Sequence, residues 1–302
     1  MKNLKYAVLG SNGFIGSHMV NFLKKKNYDV KEVSGVDLRV YKNVLKALKN
    51  IDIVFHFAAD MGGVGYFSKE QYLPFVNNMQ IDINVIKACD ENKVKKLFYP
   101  SSACAYSPSD KPLEEEMLNK SYKPDQMYGW EKLSIIKLAP TLPFDMRVGV
   151  LHTIFGEGQT WKGKKAKFPP QIVYKAIEAM KSKEIEIWGD GNQTRTFLYI
   201  DDAIEMIFEI VNSNKYYGPV NISSDEVVTV GECVDWICNY LKIKPLYKFN
   251  LNKPTGVMFR GSNNDKFKKY YKHRQKYSTK DGFIKLTEWI TKEINKKNSV
   301  KS

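Results

Sequence analysis

The opening of the chain constrains its fold more than any other segment. Residues 6–9 are a short apolar run, typical of a buried parallel strand. Gly10, Gly13 and Gly16 follow, and the amphipathic stretch over residues 17–26 predicts a helix. In such a strand–turn–helix, Gly10 permits the tight turn, Gly13 lets backbone N–H groups approach a pyrophosphate, and Gly16 lets the helix pack on the strand. The segment predicts a dinucleotide-binding start, and a plain glycine turn is the alternative.

Two pairs of polar residues form the second informative pattern. Ser102 and Cys104 precede Tyr128 and Lys132 by about two dozen residues. Tyr128 and Lys132 are four apart and share a helix face, and an ammonium beside a phenol lowers the tyrosine pKa from about 10 towards the range of a general base. Ser102 can hold a sugar hydroxyl against that base, and Cys104 points the same way if residues 99–104 are a strand end. The four residues predict a pocket that handles protons.

The first half of the chain alternates between strand-like and helix-like segments. Apolar runs predict strands at residues 51–57, 94–100 and 148–151, and periodicity predicts helices at residues 81–91 and 170–182. This alternation predicts an α/β fold with a doubly wound parallel sheet (Rossmann) and with Ser102 at the carboxyl end of a strand, where ligands bind.

The strict alternation ends after residue 152, which predicts two lobes. We expect a Rossmann domain at residues 1–152 plus about 196–222 to bind the cofactor. We expect a smaller mixed α/β lobe at about 153–195 plus 223–302 to bind the substrate.

Charge and composition narrow the possible partners. The formal net charge is +14, but arginine is scarce and the lysines are scattered without aromatic interleaving or a binding module, so we expect no nucleic-acid partner. The excess is expected to be solvated surface, or else a field that attracts anionic substrates. No apolar run approaches a membrane span, and the chain enters its first strand at once, so we expect neither a membrane partner nor a signal peptide.

The four cysteines indicate a reducing compartment. They have no metal-ligand spacing and are too few for a disulfide framework, so we expect a cytoplasmic protein without a metal site. Cys89, Cys233 and Cys238 lie in apolar helical patterns and are expected in the core, which leaves Cys104 as the exception.

The chain resembles the extended short-chain dehydrogenase/reductase superfamily, whose members bind NAD(P) and act on nucleotide sugars. The resemblance covers nearly the whole chain, in blocks at residues 10–16, 58–65, 77–79, 101–106, 128–132, 160–163, 188–195 and 220–226. The Met-Gly-Gly and Ser-Ala-Cys blocks narrow it to the epimerases that act at C3 and C5 of GDP-mannose and to the related GDP-fucose synthases.

The resemblance implies a second acid/base group and two anion-binding residues. In the 3,5-epimerases a lysine after the Thr-Trp-Lys-Gly motif works with the cysteine, and the count leads to Lys167, with Lys164 and Lys165 as alternatives. Burial or the neighbouring lysines would lower the pKa of such a lysine. Arg195 and Arg260 match arginines that hold the nucleotide diphosphate, a task that suits the guanidinium fork.

The remaining implied contacts form two sets. The cofactor set is Gly10, Gly13, Phe14, Ile15, Gly16, Asp37, Ala58, Tyr128 and Lys132. The substrate set is Met61, Gly62, Gly63, Ser102, Thr153, Lys162, Gln193, Arg195 and Arg260. Asp37 is the best candidate for the adenosine ribose, and the alternative is that it matches an Asp-Leu-Arg run that flanks the adenine. Arg39 is the one arginine at the expected 2′-phosphate site, so we expect NAD rather than NADP.

Two positions depart from the family pattern. The family usually has an arginine and an asparagine where this chain has Val150 and Thr153, so the sugar or its phosphates are expected to be held differently. His56 is expected to be structural, whereas His152 lies near the substrate region and its role stays open.

The implied function is an NAD-dependent nucleotide-sugar epimerase, expected to be a homodimer. The C4 hydroxyl is oxidised transiently through Tyr128, Lys132 and Ser102, and Cys104 and Lys167 then exchange protons at C3 and C5. One alternative is a GDP-fucose-synthase-like epimerase/reductase, which consumes NADPH and usually has a histidine as its second acid/base. A nucleotide-sugar 4-epimerase or 4,6-dehydratase would not need Cys104, and a catalytically silent NAD-binding regulator would need none of these groups.

Overall fold

Strands and helices alternate along the first half of the chain. The fold is that of a computed structural model, which describes residues 4–216 and 218–299. The elements run in the order β1 (Lys5–Leu9), α1 (Phe14–Lys25), β2 (Asp29–Val33), α2 (Tyr41–Ala47), β3 (Ile53–His56), α3 (Val64–Phe67), α4 (Tyr72–Glu91), β4 (Lys96–Ser102), α5 (Gln126–Leu138) and β5 (Asp145–Leu151). The predicted alternation is confirmed, although α4 begins at Tyr72 rather than at residue 81.

The second half contains shorter strands between longer helices. Its elements are β6 (Thr153–Phe155), α6 (Phe168–Ser182), β7 (Glu184–Trp188), β8 (Thr194–Tyr199), α7 (Ile200–Asn212), β9 (Val220–Ile222), β10 (Val227–Thr229), α8 (Val230–Leu241), β11 (Leu246–Asn250), β12 (Phe259–Arg260), α9 (Asp265–Tyr270) and α10 (Thr279–Ser299). Helix α8 begins with a capping box, in which Thr229 and Glu232 bond each other's backbone N–H groups.

Within the described residues, six strands form one parallel sheet in the order β2–β1–β3–β4–β5–β9. The order reverses between β1 and β3, and ligands of doubly wound sheets bind at such a switch point, outside the carboxyl ends of the strands. Leu9 pairs with His56, and Ser102 pairs with Leu151, so these strands end at one edge. The predicted doubly wound α/β fold is confirmed.

Alternate residues of the central strands fill two core layers. In β1, Tyr6 and Val8 belong to the layer that includes α1 and α7, whereas Ala7 and Leu9 belong to the layer that includes α2, α4 and α5. Successive side chains of a strand point to opposite faces, so a strand that is apolar at every position is buried on both sides. Each fully buried large apolar side chain contributes roughly 1.5–3 kcal/mol, and helices on both faces leave the carboxyl edge free for the site.

The strands outside the main sheet form two small sheets. Strand β8 pairs antiparallel with β10 and parallel with β6 and β12, and β7 pairs parallel with β11. The lobe boundaries remain a prediction, although β9 joins the main sheet and β8 does not. None of the described helices combines the length and the apolar character that a membrane crossing requires.

Candidate active site

The glycine turn after β1 forms one wall of an open cleft of about 460 Å³. Gly10 has a φ of +76°, and a Cβ there would lie 2.8 Å from the backbone nitrogen of Ala58. A Cβ on Gly16 would lie 2.1 Å from the Gly10 carbonyl oxygen. The turn can therefore close only with glycine at these two positions, which leaves bare backbone facing the cleft.

The start of α1 supplies free hydrogen-bond donors at this cleft. Gly13 is the N-cap and makes no side-chain cap bond, so the first-turn N–H groups of Phe14 and Ile15 have no acceptor within the helix. The buried Ser11 hydroxyl also has no hydrogen-bond partner among the described residues. Free donors at the positive end of a helix suit a phosphate group, so the residues present fit a dinucleotide.

The far end of the cleft carries an Asp37–Arg39 pair. The Asp37 carboxylate accepts bonds from the Arg39 backbone N–H (3.0 Å), Nε (2.9 Å) and Nη2 (2.9 Å). These bonds hold the pKa of Asp37 below its usual range. Arg39 Nη1 donates to Asn77 Oδ1 at 3.2 Å, so its guanidinium is already engaged on two sides.

Strand β4 ends at Ser102, so the expected strand end at residues 99–104 is wrong in its last two residues. Ala103–Ala105 form a 3₁₀ turn, in which the Ser102 hydroxyl accepts a bond from the Cys104 N–H at 3.2 Å. A free hydroxyl at the N-terminus of a turn caps its first donors, and that capping competes with a continued strand. Cys104 is half-buried and reaches the site from this turn.

Helix α5 packs closely against the 3₁₀ turn. The Asp125 N–H donates to the Cys104 carbonyl at 2.8 Å, and a Cβ on Gly129 would lie 2.2 Å from that same oxygen. Only a glycine at this position lets the helix carrying Tyr128 approach so near. The close packing brings Tyr128 into contact with the Ser102 hydroxyl.

Tyr128 lies under an aromatic neighbour. Its ring stacks on Phe67 at a centroid distance of 4.7 Å and an interplanar angle of 15°. Burial raises the pKa of Tyr128 well above its ordinary value, although the Lys132 ammonium and the Ser102 hydroxyl act to lower it. Lys132 acts in the expected direction, but the expected net lowering of this pKa is wrong, because desolvation of the phenolate outweighs the charge.

Lys132 bonds buried neighbours on the side of the sheet core. Its ammonium donates to the Tyr99 hydroxyl at 3.0 Å, lies 2.7 Å from Glu131 Oε1, and stands 5.7 Å from the centroid of the Tyr128 ring. The side chain is only 4% exposed. Burial lowers the pKa of Lys132, but Glu131, Tyr99 and Asp82 outweigh it, so the ammonium stays charged.

The Cys104 thiol lies among cations. Arg260 Nη1 is 3.4 Å from its Sγ, and Arg260 also forms an ion pair with Asp125. Arg195 bonds three backbone carbonyls, and burial together with Arg260 lowers its pKa to about 10. Sequence spacing could not foresee Asp125 as the counter-charge of Arg260.

Lys167 is also close to Cys104. Burial lowers the pKa of Lys167, and the charge of Cys104 acts in the opposite sense. The expectation that a crowd of lysines lowers this pKa is wrong, because Lys164 is exposed and Lys165 pairs with Asp60 at 2.6 Å. The charge of Cys104 acts on Lys167, which makes Lys167 the candidate partner of the thiol.

The Met-Gly-Gly block packs against the loop that carries Lys167. Met61 and Gly63 are partly buried and Gly62 is buried. A Cβ on Gly63 would lie 2.9 Å from the Ala166 carbonyl oxygen and 3.5 Å from the Lys167 Cα, so the glycine permits this contact.

Three further predicted substrate residues have different surroundings. Gln193 is buried, and its Nε2 donates to the Trp188 carbonyl at 2.7 Å. Its Oε1 has no hydrogen-bond partner in the part of the chain that the structure describes. Thr153 is partly buried in β6, and Lys162 is exposed, with its ammonium 5.3 Å from the ring centroid of Tyr174.

The two histidines of the sequence analysis both lie near the site. Burial and the charge of Arg260 lower the pKa of His152 to about 3, so its imidazole is neutral. His56 bonds Asp82 at 2.9 Å beneath the pocket. The sequence patterns did not identify Asp82 or Tyr99 as part of the site. The carboxylate of Asp82, at an otherwise apolar position of a predicted helix, is the one feature that could have indicated it.

Comparison with known proteins agrees with this geometry. The model of the NAD dependent epimerase/dehydratase family matches residues 6–223. The chain is 35% identical over 327 residues to GDP-mannose 3,5-epimerase from Arabidopsis thaliana, covering 99% of this chain and 85% of that protein. It is 25% identical to GDP-L-fucose synthase from Escherichia coli, over 85% of this chain and 87% of that protein. A solved structure of a GDP-L-fucose synthetase from Naegleria fowleri has a TM-score of 0.85 at 19% identity, covers 98% of this chain and 95% of that one, and supports the fold.

Proposed function

Because the chain belongs to the NAD-dependent epimerase/dehydratase family, we propose that it is an epimerase that acts on GDP-mannose and exchanges protons at C3 and C5. The observation that supports the proposal is that Cys104, on the turn beside Ser102 and helix α5, acts through its charge on the Lys167 amine, whose loop packs against Gly63. A 4-epimerase has no use for a thiol and an amine at this point, whereas proton exchange at two carbons needs two such groups.

NAD is the cofactor that we propose, held by the glycine turn, Ala58 and Asp37. When bound, NAD supplies hydride transfer at C4 of the sugar, with the hydride returned to C4 before the product leaves. The Asp37–Arg39 pair supports NAD over NADP. A 2′-phosphate would meet the Asp37 carboxylate, and it would need a guanidinium that Asp37 and Asn77 already occupy.

Tyr128 is the proposed base for the C4 hydroxyl. Ser102 contacts its phenol and can share the same substrate hydroxyl, which orients the proton to be removed. Lys132 supports the phenolate through its charge, and this charge persists because Glu131 and Asp82 lie close to it. The stack on Phe67 fixes the plane of the Tyr128 ring during the transfer.

Cys104 and Lys167 are the proposed pair for C3 and C5. A carbonyl at C4 acidifies the protons on both neighbouring carbons, because each carbanion is then an enolate. Burial lowers the pKa of Lys167 and so increases its neutral fraction, which is the form that accepts a proton. The Arg260 guanidinium, 3.4 Å from the thiol, can stabilise negative charge on sulfur or on the enolate oxygen.

The smaller lobe is the proposed site of the nucleotide diphosphate. Arg195 and Arg260 bring two positive charges to the edge of the pocket, and the Gln193 Oε1 offers an acceptor that the protein leaves unused. Lys162, being exposed, would contribute only if its loop closed over the substrate. Met61, Gly62, Gly63 and Thr153 are proposed to line the sugar subsite.

A homodimer is also part of the proposal. Helices α4 and α5 expose neighbouring apolar side chains: Tyr72, Leu73, Val76 and Ile83 on α4, and Met127, Trp130 and Leu138 on α5. Two helices that pack together and share an uncovered apolar face fit a self-complementary interface. Cytoplasmic localisation stays a prediction.

The second candidate is an epimerase/reductase, favoured by the 25% identity to GDP-L-fucose synthase. A panel of GDP-, UDP- and dTDP-sugars, incubated with protein and catalytic NAD but no reductant, separates the two. The proposal predicts new GDP-hexose epimers from GDP-mannose. Turnover that requires stoichiometric NADPH would move the assignment to the reductase, and turnover of UDP-sugars alone would reject GDP-mannose.

A further inference from the structure

A chain of buried polar side chains extends from Lys132 into the core of the sheet. The Lys132 ammonium donates to the Tyr99 hydroxyl at 3.0 Å, and Tyr99 donates to Asp82 Oδ2 at 2.7 Å. His56 Nε2 lies 2.9 Å from the other carboxylate oxygen of Asp82. All four side chains are at most 4% exposed, so solvent does not maintain these bonds.

The direction of each hydrogen bond in this chain is fixed. Burial acts to raise the pKa of Asp82, but Lys132, His56 and Tyr99 outweigh it and lower the pKa, so Asp82 is an ionised group that only accepts. Tyr99 must donate its one proton to Asp82, which leaves its oxygen lone pairs for Lys132. His56 must carry its proton on Nε2. The carboxylate therefore orients both neighbours.

The chain in turn fixes the ammonium. The Lys132 ammonium donates one hydrogen bond to Tyr99, and it forms an ion pair with Glu131 Oε1 at 2.7 Å. The Tyr128 ring lies on its pocket side, with its centroid 5.7 Å from the ammonium. Glu131 is itself held by Asn78, whose Nδ2 donates to Glu131 Oε2 at 3.0 Å. An ammonium that moved away from Tyr99 would lose this bond to a buried partner.

We propose that Asp82, Tyr99 and His56 are positioning residues for the reaction, because they fix the Lys132 ammonium in the place from which it supports the Tyr128 phenolate. The inference rests on the proposed roles of Tyr128 and Lys132. Burying a cluster of ionisable groups in a sheet core costs free energy compared with apolar packing. Because this cluster lies next to the pocket, a function in the site explains it better than a contribution to stability.

The charges around Asp82 and Lys132 determine how the ionisation of Tyr128 is expected to respond to a substitution in this chain of residues. Asp82 is faced by His56 from β3, Tyr99 from β4 and Lys132 from α5, and Lys132 is also faced by Glu131 and Tyr128. Tyr99→Phe removes one hydroxyl and changes none of these charges. The ammonium then loses the bond that anchors it, and Tyr128 needs a higher pH to ionise.

Tyr99→Phe is therefore the test, with Tyr106→Phe as its matched control. Tyr106 is equally buried and donates to Asn221 at 2.7 Å, in a different network. With GDP-mannose, Tyr99→Phe should lower kcat about tenfold, keep KM within about twofold, and move the acid limb of the kcat–pH profile up by about one unit. Tyr106→Phe should leave the acid limb where it is. Wild-type kcat and an unshifted limb in Tyr99→Phe would overturn the inference.

Asp82→Asn tests whether the residues act as one unit. In a double-mutant cycle, the Asp82→Asn/Tyr99→Phe pair should lose no more kcat than the worse single variant. Losses that multiply would show independent structural effects and would overturn the inference.

A readout without substrate separates this inference from the proposed function. In protein labelled with ¹⁵N-lysine, the Nζ signal of Lys132, assigned by its loss in Lys132→Met, should shift and exchange faster in Tyr99→Phe than in Tyr106→Phe. Failure of the wild type to turn over GDP-sugars would reject the proposed function alone. An unchanged Lys132 signal in Tyr99→Phe would reject the positioning role.

Discussion

The proposed oxidation at C4 of the sugar depends directly on the Tyr128 hydroxyl. Tyr128→Phe keeps the ring and its stack on Phe67 but removes the proton acceptor. We expect kcat to fall about a hundredfold or more, because general-base catalysis contributes that much, while KM changes little. Initial rates of GDP-mannose conversion check this, and near-normal turnover would exclude Tyr128 as the base.

Lys164 is exposed, whereas Lys167 is partly buried and feels the charge of Cys104, which makes the two lysines a useful pair of test positions. Lys167→Ala should abolish exchange of one of the two sugar protons, because the buried amine next to Cys104 is lost. Lys164→Ala removes an exposed lysine and should exchange both protons as the wild type does. NMR measurement of the deuterium content at C3 and C5 distinguishes the two variants. Equal exchange in both would refute a role for Lys167.

His152 should make the protein acid-sensitive. Its pKa is lowered to about 3 in the fold from 6.5, so between these values the unfolded chain binds the extra proton. Stability therefore falls as the pH drops below 6.5, by at most about 1.4 kcal/mol per unit from this group, and is unaffected by it above 6.5. Urea unfolding of His152→Gln should show a shallower loss between pH 6 and 4. Parallel curves for the two proteins across that range would contradict this.

Site residues whose relative positions are set within one helix or strand could be predicted from the sequence. Residues that reach the site from distant parts of the chain could not. Tyr128 and Lys132 are set by a helical turn, and Ser102 by the end of a strand. The partners that tune them come from elsewhere: Tyr99 and Asp82 lie in an apolar strand and on a helix face. The sign of the Tyr128 pKa shift also depends on burial, which spacing does not reveal.

At the scale of elements, the docking of α5 on the 3₁₀ turn determines the site. Gly129→Ala would bring a Cβ within 2.2 Å of the Cys104 carbonyl, so the helix must shift. We expect the free energy of unfolding to fall by about 1–3 kcal/mol and turnover to fall with it. Gly231→Ala in α8 is the control, since its nearest neighbour is 3.5 Å away. Denaturation curves and rates check both, and a fully active, stable Gly129→Ala would contradict the packing argument.

Elements with strong local patterns followed the sequence closely. The strand at Lys5–Leu9 and the helix at Phe168–Ser182 lie within two residues of the predicted positions. The end of β4 did not, because the Ser102 hydroxyl accepts a bond from the Cys104 N–H and a 3₁₀ turn begins there. The alternation of side chains that identifies a strand has a period of two residues. Over a stretch as short as residues 103–104 it cannot distinguish a strand from a 3₁₀ turn.

At the scale of the whole molecule, the exposed apolar face of α4 and α5 predicts an interface. Trp130 is 42% exposed on α5, and Trp130→Glu should convert the proposed dimer to a monomer with an intact fold. Met180→Glu, at an equally exposed position on α6, should remain a dimer. Sedimentation velocity checks both, and a monomeric wild type would remove the homodimer from the account.

The main sheet could be predicted as a whole, but the smaller sheets could not. Parallel strands joined by helices leave few permitted topologies, so the doubly wound sheet follows from the alternation. Strand β8, by contrast, pairs with β6, β10 and β12, which come from residues 153 to 260. Such long-range pairings have no local signature, so the surroundings of Arg195 and Arg260 emerged only from the structure.

In the proposed reaction, the protons at C3 and C5 of the sugar exchange with solvent, while the hydrogen at C4 is conserved. The most direct measurement is NMR of GDP-mannose incubated in D₂O with the protein and catalytic NAD. We expect deuterium at C3 and C5, none at C4, and loss of one or both exchanges in Cys104→Ala. Absence of deuterium from both C3 and C5 in the wild-type reaction, or wild-type exchange at both carbons in Cys104→Ala, would contradict it.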